Sequence, residues 1–82
     1  MSDNPLRDAI AEAIRDNEVI LFMKGTPEQP MCGFSARAAG ALQATGVPFA
    51  AVDILPDPRI RQELSALSNW PTTPQLFVKG EL

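Results

Sequence analysis

The chain has 82 residues, 45% of them hydrophobic, with seven basic and ten acidic side chains, a net charge of −3 and an isoelectric point near 4.7. That length predicts one domain, residues 1–82, with a thin core, since chains of this size bury only about 60% of their unfolded surface. The acidic balance excludes a general binder of nucleic acid or anionic membranes, no apolar run approaches the ~20 residues of a bilayer span, and one cysteine excludes an internal disulfide framework.

The first residues, Met1-Ser2-Asp3-Asn4-Pro5, are neither a secretory signal nor an Arg-rich transit peptide, so the expected location is cytoplasmic. A lone thiol also stays free most readily in a reducing compartment. Asn4-Pro5 predicts a helix N-cap followed by proline at the first helical position. Leu6, Ala9, Ile10, Ala13 and Ile14 then recur at helical spacing as one apolar stripe. Asp3 and Asp8 suit the positive end of the helix dipole, and Asp16-Asn17 closes the pattern.

Val19-Ile20-Leu21-Phe22-Met23 is a short, continuous apolar run, the pattern of a strand buried on both faces. The loop from Lys24 to Met31 carries two prolines and a glycine and accommodates no further regular element. Phe34, Ala38, Ala41, Leu42 and Thr45 predict a second helix, stopped by Gly46. A second strand covers Phe49 to Ile54. Strand, helix and strand within about 35 residues make a βαβ unit with parallel strands and a right-handed crossover. Asp57-Pro58 opens a third helix with Ile60, Leu64 and Leu67 as its buried stripe. After the turn-rich Ser68-Asn69-Trp70-Pro71-Thr72-Thr73-Pro74, Gln75-Leu76-Phe77-Val78 is a third strand, and Lys79-Gly80-Glu81 starts a hairpin turn. The fold class is α/β, in the order helix-strand-helix-strand-helix-strand.

Chemistry concentrates at Met31-Cys32-Gly33-Phe34-Ser35. With no histidine in the chain, Cys-His catalysis and His-based metal sites drop out. Ser35 stands where a resolving thiol would be, so any redox cycle through Cys32 needs an external thiol such as glutathione or a partner protein. A lone cysteine is more often a small buried hydrophobe than a nucleophile. Cys32, however, follows a loop at a strand's carboxyl end and begins a helix, where the dipole and converging N–H groups lower a thiol pKa. In open α/β sheets that edge also binds ligands. Lys24, on the same edge, is either a partner for a thiolate or ligand carboxylate or a solvated loop lysine. Arg59 and Arg61 are cations poorly placed for their helix dipole, which a ligand carboxylate would explain; for Arg59 the preferred reading is plain surface solubility. Thr73-Pro74 is a candidate cis peptide whose backbone could pair with a peptide-like ligand. Trp70 is read as packing.

Taken together, Lys24-Gly25, the loop, Cys32-Gly33-Phe34-Ser35 and Trp70-Pro71-Thr72-Thr73-Pro74-Gln75-Leu76 resemble a monothiol glutaredoxin of the Cys-Gly-Phe-Ser type, over essentially the whole chain. The resemblance implies a thioredoxin-like fold with the third strand antiparallel. It also implies glutathione binding and a [2Fe–2S] cluster bridged between two protomers, hence a homodimer when cluster-bound, with BolA-like proteins and apo iron–sulfur clients as partners. Carried over by position, Cys32 is the reactive thiol and cluster ligand, Lys24 and Arg61 hold a glutathione carboxylate, and Thr73, with Pro74, meets the tripeptide backbone. The donor count agrees: a [2Fe–2S] cluster takes four thiolates and this chain supplies one, so two chains and two external thiols complete the set.

The family pattern continues past the position of Leu82 with another strand, a glycine-rich segment that grips glutathione, and a covering helix. The expectation is therefore a domain lacking its last strand and C-terminal helix, with the third strand an exposed edge and glutathione held more weakly. Three functions remain on this reading: a cluster carrier, a glutathione-dependent oxidoreductase acting on glutathionylated thiols, and a non-catalytic module that binds a partner through the Cys32 edge. Gly-Phe after the cysteine and the long loop before it resemble the carrier subfamily.

Overall fold

The structure, a computed structural model, describes residues 4–82; the sequence expectation for Asp3 lies outside the described residues. Six elements follow in chain order: α1 (Pro5–Asp16), β1 (Val19–Met23), α2 (Gly33–Thr45), β2 (Ala50–Asp53), α3 (Pro58–Ser68) and β3 (Gln75–Val78). Two helices start as their sequences dictate. Asn4 accepts the Arg7 N–H and Asp57 accepts the Arg59 N–H, each with proline in the first turn. Each cap satisfies an N–H that the helix itself leaves without a partner. Gly46, in the left-handed region at φ 73°, ends α2.

β1 is the centre of a three-stranded sheet in the order β2-β1-β3. It runs parallel to β2, with Ile20 opposite Ala50 and Met23 opposite Asp53. It runs antiparallel to β3, with Val19 opposite Val78 and Phe22 opposite Gln75. The parallel pairing and the antiparallel third strand are both as expected. β2 is shorter at each end than the Phe49–Ile54 expectation.

The alternation of β1 builds two cores. Ile20 and Phe22 face α1 and α3 and pack with Ile10, Ile14, Ile54, Leu64 and Phe77, while Leu21 and Met23 face α2 and Ala39. Phe22 and Phe77 meet edge to face at 5.9 Å, the arrangement favoured by ring quadrupoles.

The buried stripes differ from the sequence reading in three places. Ala9 is exposed, because Ile10 and Ile14 with half-buried Leu6 and Ala13 already fill the α1 contact. In α2 the buried positions are Ser35 and Ala39, flanked by half-buried Ala38 and Leu42, whereas Phe34, Ala41 and Thr45 are exposed. Ala39 packs against Leu21 and Met23 and the Ser35 hydroxyl bonds the end of β1, so Phe34, one position round the helix from Ser35, projects outward. Leu67 is partly exposed at the end of the α3 stripe. Beyond β3, Lys79 and Gly80 both take positive φ, and Val78 and Glu81 exchange backbone hydrogen bonds of 2.8 and 3.0 Å. This is the tight turn expected there.

Candidate functional site

Because β3 is antiparallel to β1, its first residue lies beside the last residues of β1. The carboxyl end of β1, the N-terminus of α2 and the segment before β3 therefore meet at one edge of the sheet. The Lys24–Met31 loop returns the chain to this edge. Its Met31 N–H donates to the Lys24 carbonyl at 2.9 Å, and Thr26 and Gln29 bond each other. Gly25 and Pro30 form an isolated bridge, an ordering not foreseen from the prolines. Gly25 sits at φ 88°, and any Cβ there would collide with the Gln29 carbonyl oxygen. Asp53 locks the loop to β2, accepting the Gly25 and Leu55 N–H groups at 3.0 and 2.9 Å.

Cys32 is the N-cap of α2 and its sulfur accepts the Ser35 N–H at 3.3 Å. Ser35 is fully buried and its hydroxyl lies 3.2 Å from Sγ. The same oxygen accepts the Lys24 N–H at 3.0 Å. A hydroxyl has two acceptor positions and one proton to donate, so Ser35 holds the end of β1 and still has a proton for a thiolate. The Cys32 pKa is lowered from its ordinary 9.0, chiefly by the Ser35 hydroxyl and then the Ser35 N–H; the Phe34 N–H and the Lys24 charge add to this, against opposition from burial.

Four of the residues singled out in the sequence meet in one cleft. Lys24, Arg61, Thr73 and Pro74 line about 510 Å³ together with Phe34 and Thr72, within the range of roughly 300–1,000 Å³ common for small-ligand sites. Cys32 is not a lining residue, but Lys24 and Phe34, which are, both act on its sulfur. Thr73-Pro74 is a cis peptide. Arg59 turns away, gripping Asp57 at 2.7 Å, whereas Arg61 reaches the Pro71 carbonyl at 3.4 Å. A second cleft, near 500 Å³, lies at the other end of the strands between Asn17 and Ala50, with Glu18 its one ionisable side chain among the described residues.

Two aromatic residues depart from the sequence reading. Trp70 is 54% exposed and belongs to neither core, and Phe34 is 71% exposed. Phe34 lies under the Arg37 guanidinium at 5.9 Å. Its signal was available: a large ring two residues after a thiol that caps a helix sits in the first turn, which projects from the sheet edge. Gln75, absent from the sequence-derived site, is buried and donates to the Trp70 and Thr72 carbonyls.

Ser35→Ala removes the largest influence on the thiol. The Cys32 pKa is expected to rise toward its ordinary value, shifting the pH profile of iodoacetamide alkylation upward; an unchanged profile would leave the N–H groups and the Lys24 charge as the causes. The native pKa lies below the unfolded one, so ionisation adds stability that is fully present above the unfolded pKa. That stability is lost as pH falls through the native pKa.

A sequence profile of the glutaredoxin family matches residues 19–82. Glutaredoxin 4 of Haemophilus ducreyi is 55% identical over 75 residues, 92% of this chain and 70% of that protein. The "Probable monothiol glutaredoxin GrlA" of Legionella pneumophila is 64% identical over 63 residues, 77% of this chain and 71% of that one. Among solved structures, a monomeric truncated mutant of Trypanosoma brucei 1-C-Grx1 superposes with a TM-score of 0.82 at 40% identity, covering 92% of this chain and 68% of that one.

Proposed function

The chain belongs to the glutaredoxin family and has its thioredoxin-like fold, and from that premise we propose that it binds glutathione beside Cys32 and carries a [2Fe–2S] cluster shared between two copies. The observation that carries this reading is a single thiol, its pKa lowered by Ser35, beside a cleft with two cations. In the cleft, Lys24 and Arg61 would meet a glutathione carboxylate. Thr73 would pair with the tripeptide backbone, with Pro74 as a wall.

The donor set fits the cluster only as a shared cargo. Among the described residues no group of three His, Cys, Asp or Glu side chains stands together to hold a metal. Cys32 supplies one thiolate, so the other three must come from a second Cys32 and two glutathione thiols. Met31 and Phe34 flank the thiol and are 66% and 71% exposed, an apolar surface for the second copy to cover. A centre held half by diffusible thiols is released easily, which suits delivery to apo iron–sulfur proteins or transfer through a BolA-like partner. No helix among the described residues is long and apolar enough to cross a membrane. A cytoplasmic location, where glutathione keeps thiols reduced, fits the chemistry.

The lowered thiol pKa also favours a second reading, a monothiol oxidoreductase. The Cys32 thiolate would attack the glutathione sulfur of a glutathionylated protein, expelling the protein thiolate and forming a Cys32–glutathione disulfide. A second glutathione thiolate would then attack that disulfide, releasing oxidised glutathione and restoring Cys32. Anaerobic reconstitution with iron, sulfide and glutathione separates the readings. The carrier yields a brown dimer only when glutathione is present. A colourless monomer that reduces a glutathionylated substrate would favour the enzyme.

A further inference from the structure

We infer that Gln75 is a positioning residue for the glutathione edge, holding the segment that presents Thr73; this rests on the glutathione reading above. In β3, Gln75 and Phe77 share the buried face, and Phe77 belongs to the core. An apolar side chain would be the stable choice at Gln75, which is 2% exposed, because a buried amide costs free energy unless all its polar atoms are paired. The pairing is one-sided. Nε2 donates to the Trp70 carbonyl at 3.0 Å and the Thr72 carbonyl at 2.9 Å. Oε1 is buried with no hydrogen-bond partner among the described residues, as is the Thr73 hydroxyl oxygen.

The amide therefore spends its donors on the loop and leaves its acceptor unanswered. Between the two held carbonyls, that of Pro71 accepts from Arg61. The three carbonyls before Thr73 are thus tied either to the strand below or to a cation of the cleft. This geometry fixes where Thr73 meets a ligand, without Gln75 lining the cleft itself.

The test is calorimetry with S-methylglutathione, which cannot form a disulfide, on the full chain and three variants. Gln75→Met keeps the shape and removes both the donors and the unanswered acceptor. It is expected to melt at an unchanged or higher temperature yet bind about tenfold more weakly, with the Cys32 alkylation profile unmoved. Gln75→Glu, which offers no donor when ionised, is expected to weaken binding at least as much. Lys24→Ala serves as the reference for the cleft. Wild-type affinity in Gln75→Met alongside weakened Lys24→Ala overturns the inference alone. So does a loss of folding in both Gln75 variants, which would make the residue part of the core. Absent binding by the wild type, or an unaffected Lys24→Ala, overturns the glutathione reading itself.

Discussion

Cys32→Ser is expected to yield a protein that takes up no iron–sulfur colour and forms no disulfide with glutathione, yet binds S-methylglutathione within about threefold of the parent. The chemistry depends on one sulfur, since the chain has no other cysteine and no histidine. The binding surface is elsewhere: Lys24, Arg61, Thr73 and Pro74 line the cleft and Cys32 does not. Stability should barely change, because serine is among the favoured N-cap residues and its oxygen can accept the Ser35 N–H that Sγ accepts now. Absorption spectra after anaerobic reconstitution, calorimetry and a melting curve read the three effects separately. Colour retained in the variant would remove Cys32 from the ligand set. Affinity lost along with colour would mean that the thiol itself anchors the tripeptide.

The largest expected loss of stability comes from Phe22→Ala, at about 3–5 kcal/mol. Phe22 is 1% exposed at the centre of the larger core, on the middle strand of the sheet, against Phe77 and the two helices of that face. Removing the ring leaves a cavity bounded by β3 and by the α1 and α3 helices, which cannot all move in. Domains of this kind are held by roughly 5–15 kcal/mol, so the variant should unfold at a much lower urea concentration and much of it would be unfolded near 37 °C. Phe34→Ala is the control: the same atoms are removed from a ring that is already exposed, and the expected change is about 0.5 kcal/mol or less. Equal destabilisation by the two substitutions in urea titrations would contradict the assignment of the core to the α1–α3 face.

Local signals in the sequence were enough where local chemistry decides the structure. Asn4-Pro5 and Asp57-Pro58 mark helix starts through side-chain oxygens two or three residues from the N–H groups they accept. The run from Val19 to Met23 identifies the central strand because only a strand covered on both faces is apolar at every position. Other features are set by contacts distant in sequence. The parallel default of a strand–helix–strand connection was applied to β1 and β2 only; the direction of β3 came from the family resemblance, and with it the edge that brings Thr73 and Lys24 into one cleft. The face of α2 was misjudged because it is set by contacts distant in sequence, Ser35 to the Lys24 N–H and Ala39 to Leu21 and Met23, which turn Phe34 outward. The link from Ser35 to the Lys24 N–H and the grip of Gln75 on the Trp70 and Thr72 carbonyls depend on the assembled edge. Composition gives no sign of either. Arg59 and Arg61, two residues apart, are separated in the sequence reading by the preference for surface solubility at Arg59, and the Asp57 carboxylate that holds Arg59 gives the physical reason.

The central claim is that Cys32 is one quarter of a shared site. Native mass spectrometry of the anaerobically reconstituted protein tests it by weighing the site. The account predicts one cluster-bearing species containing two chains of 8.9 kDa, one [2Fe–2S] cluster and two glutathione molecules, reverting to single chains when glutathione is withdrawn. A cluster-bearing species with a single chain, or with two chains and no glutathione, would contradict it.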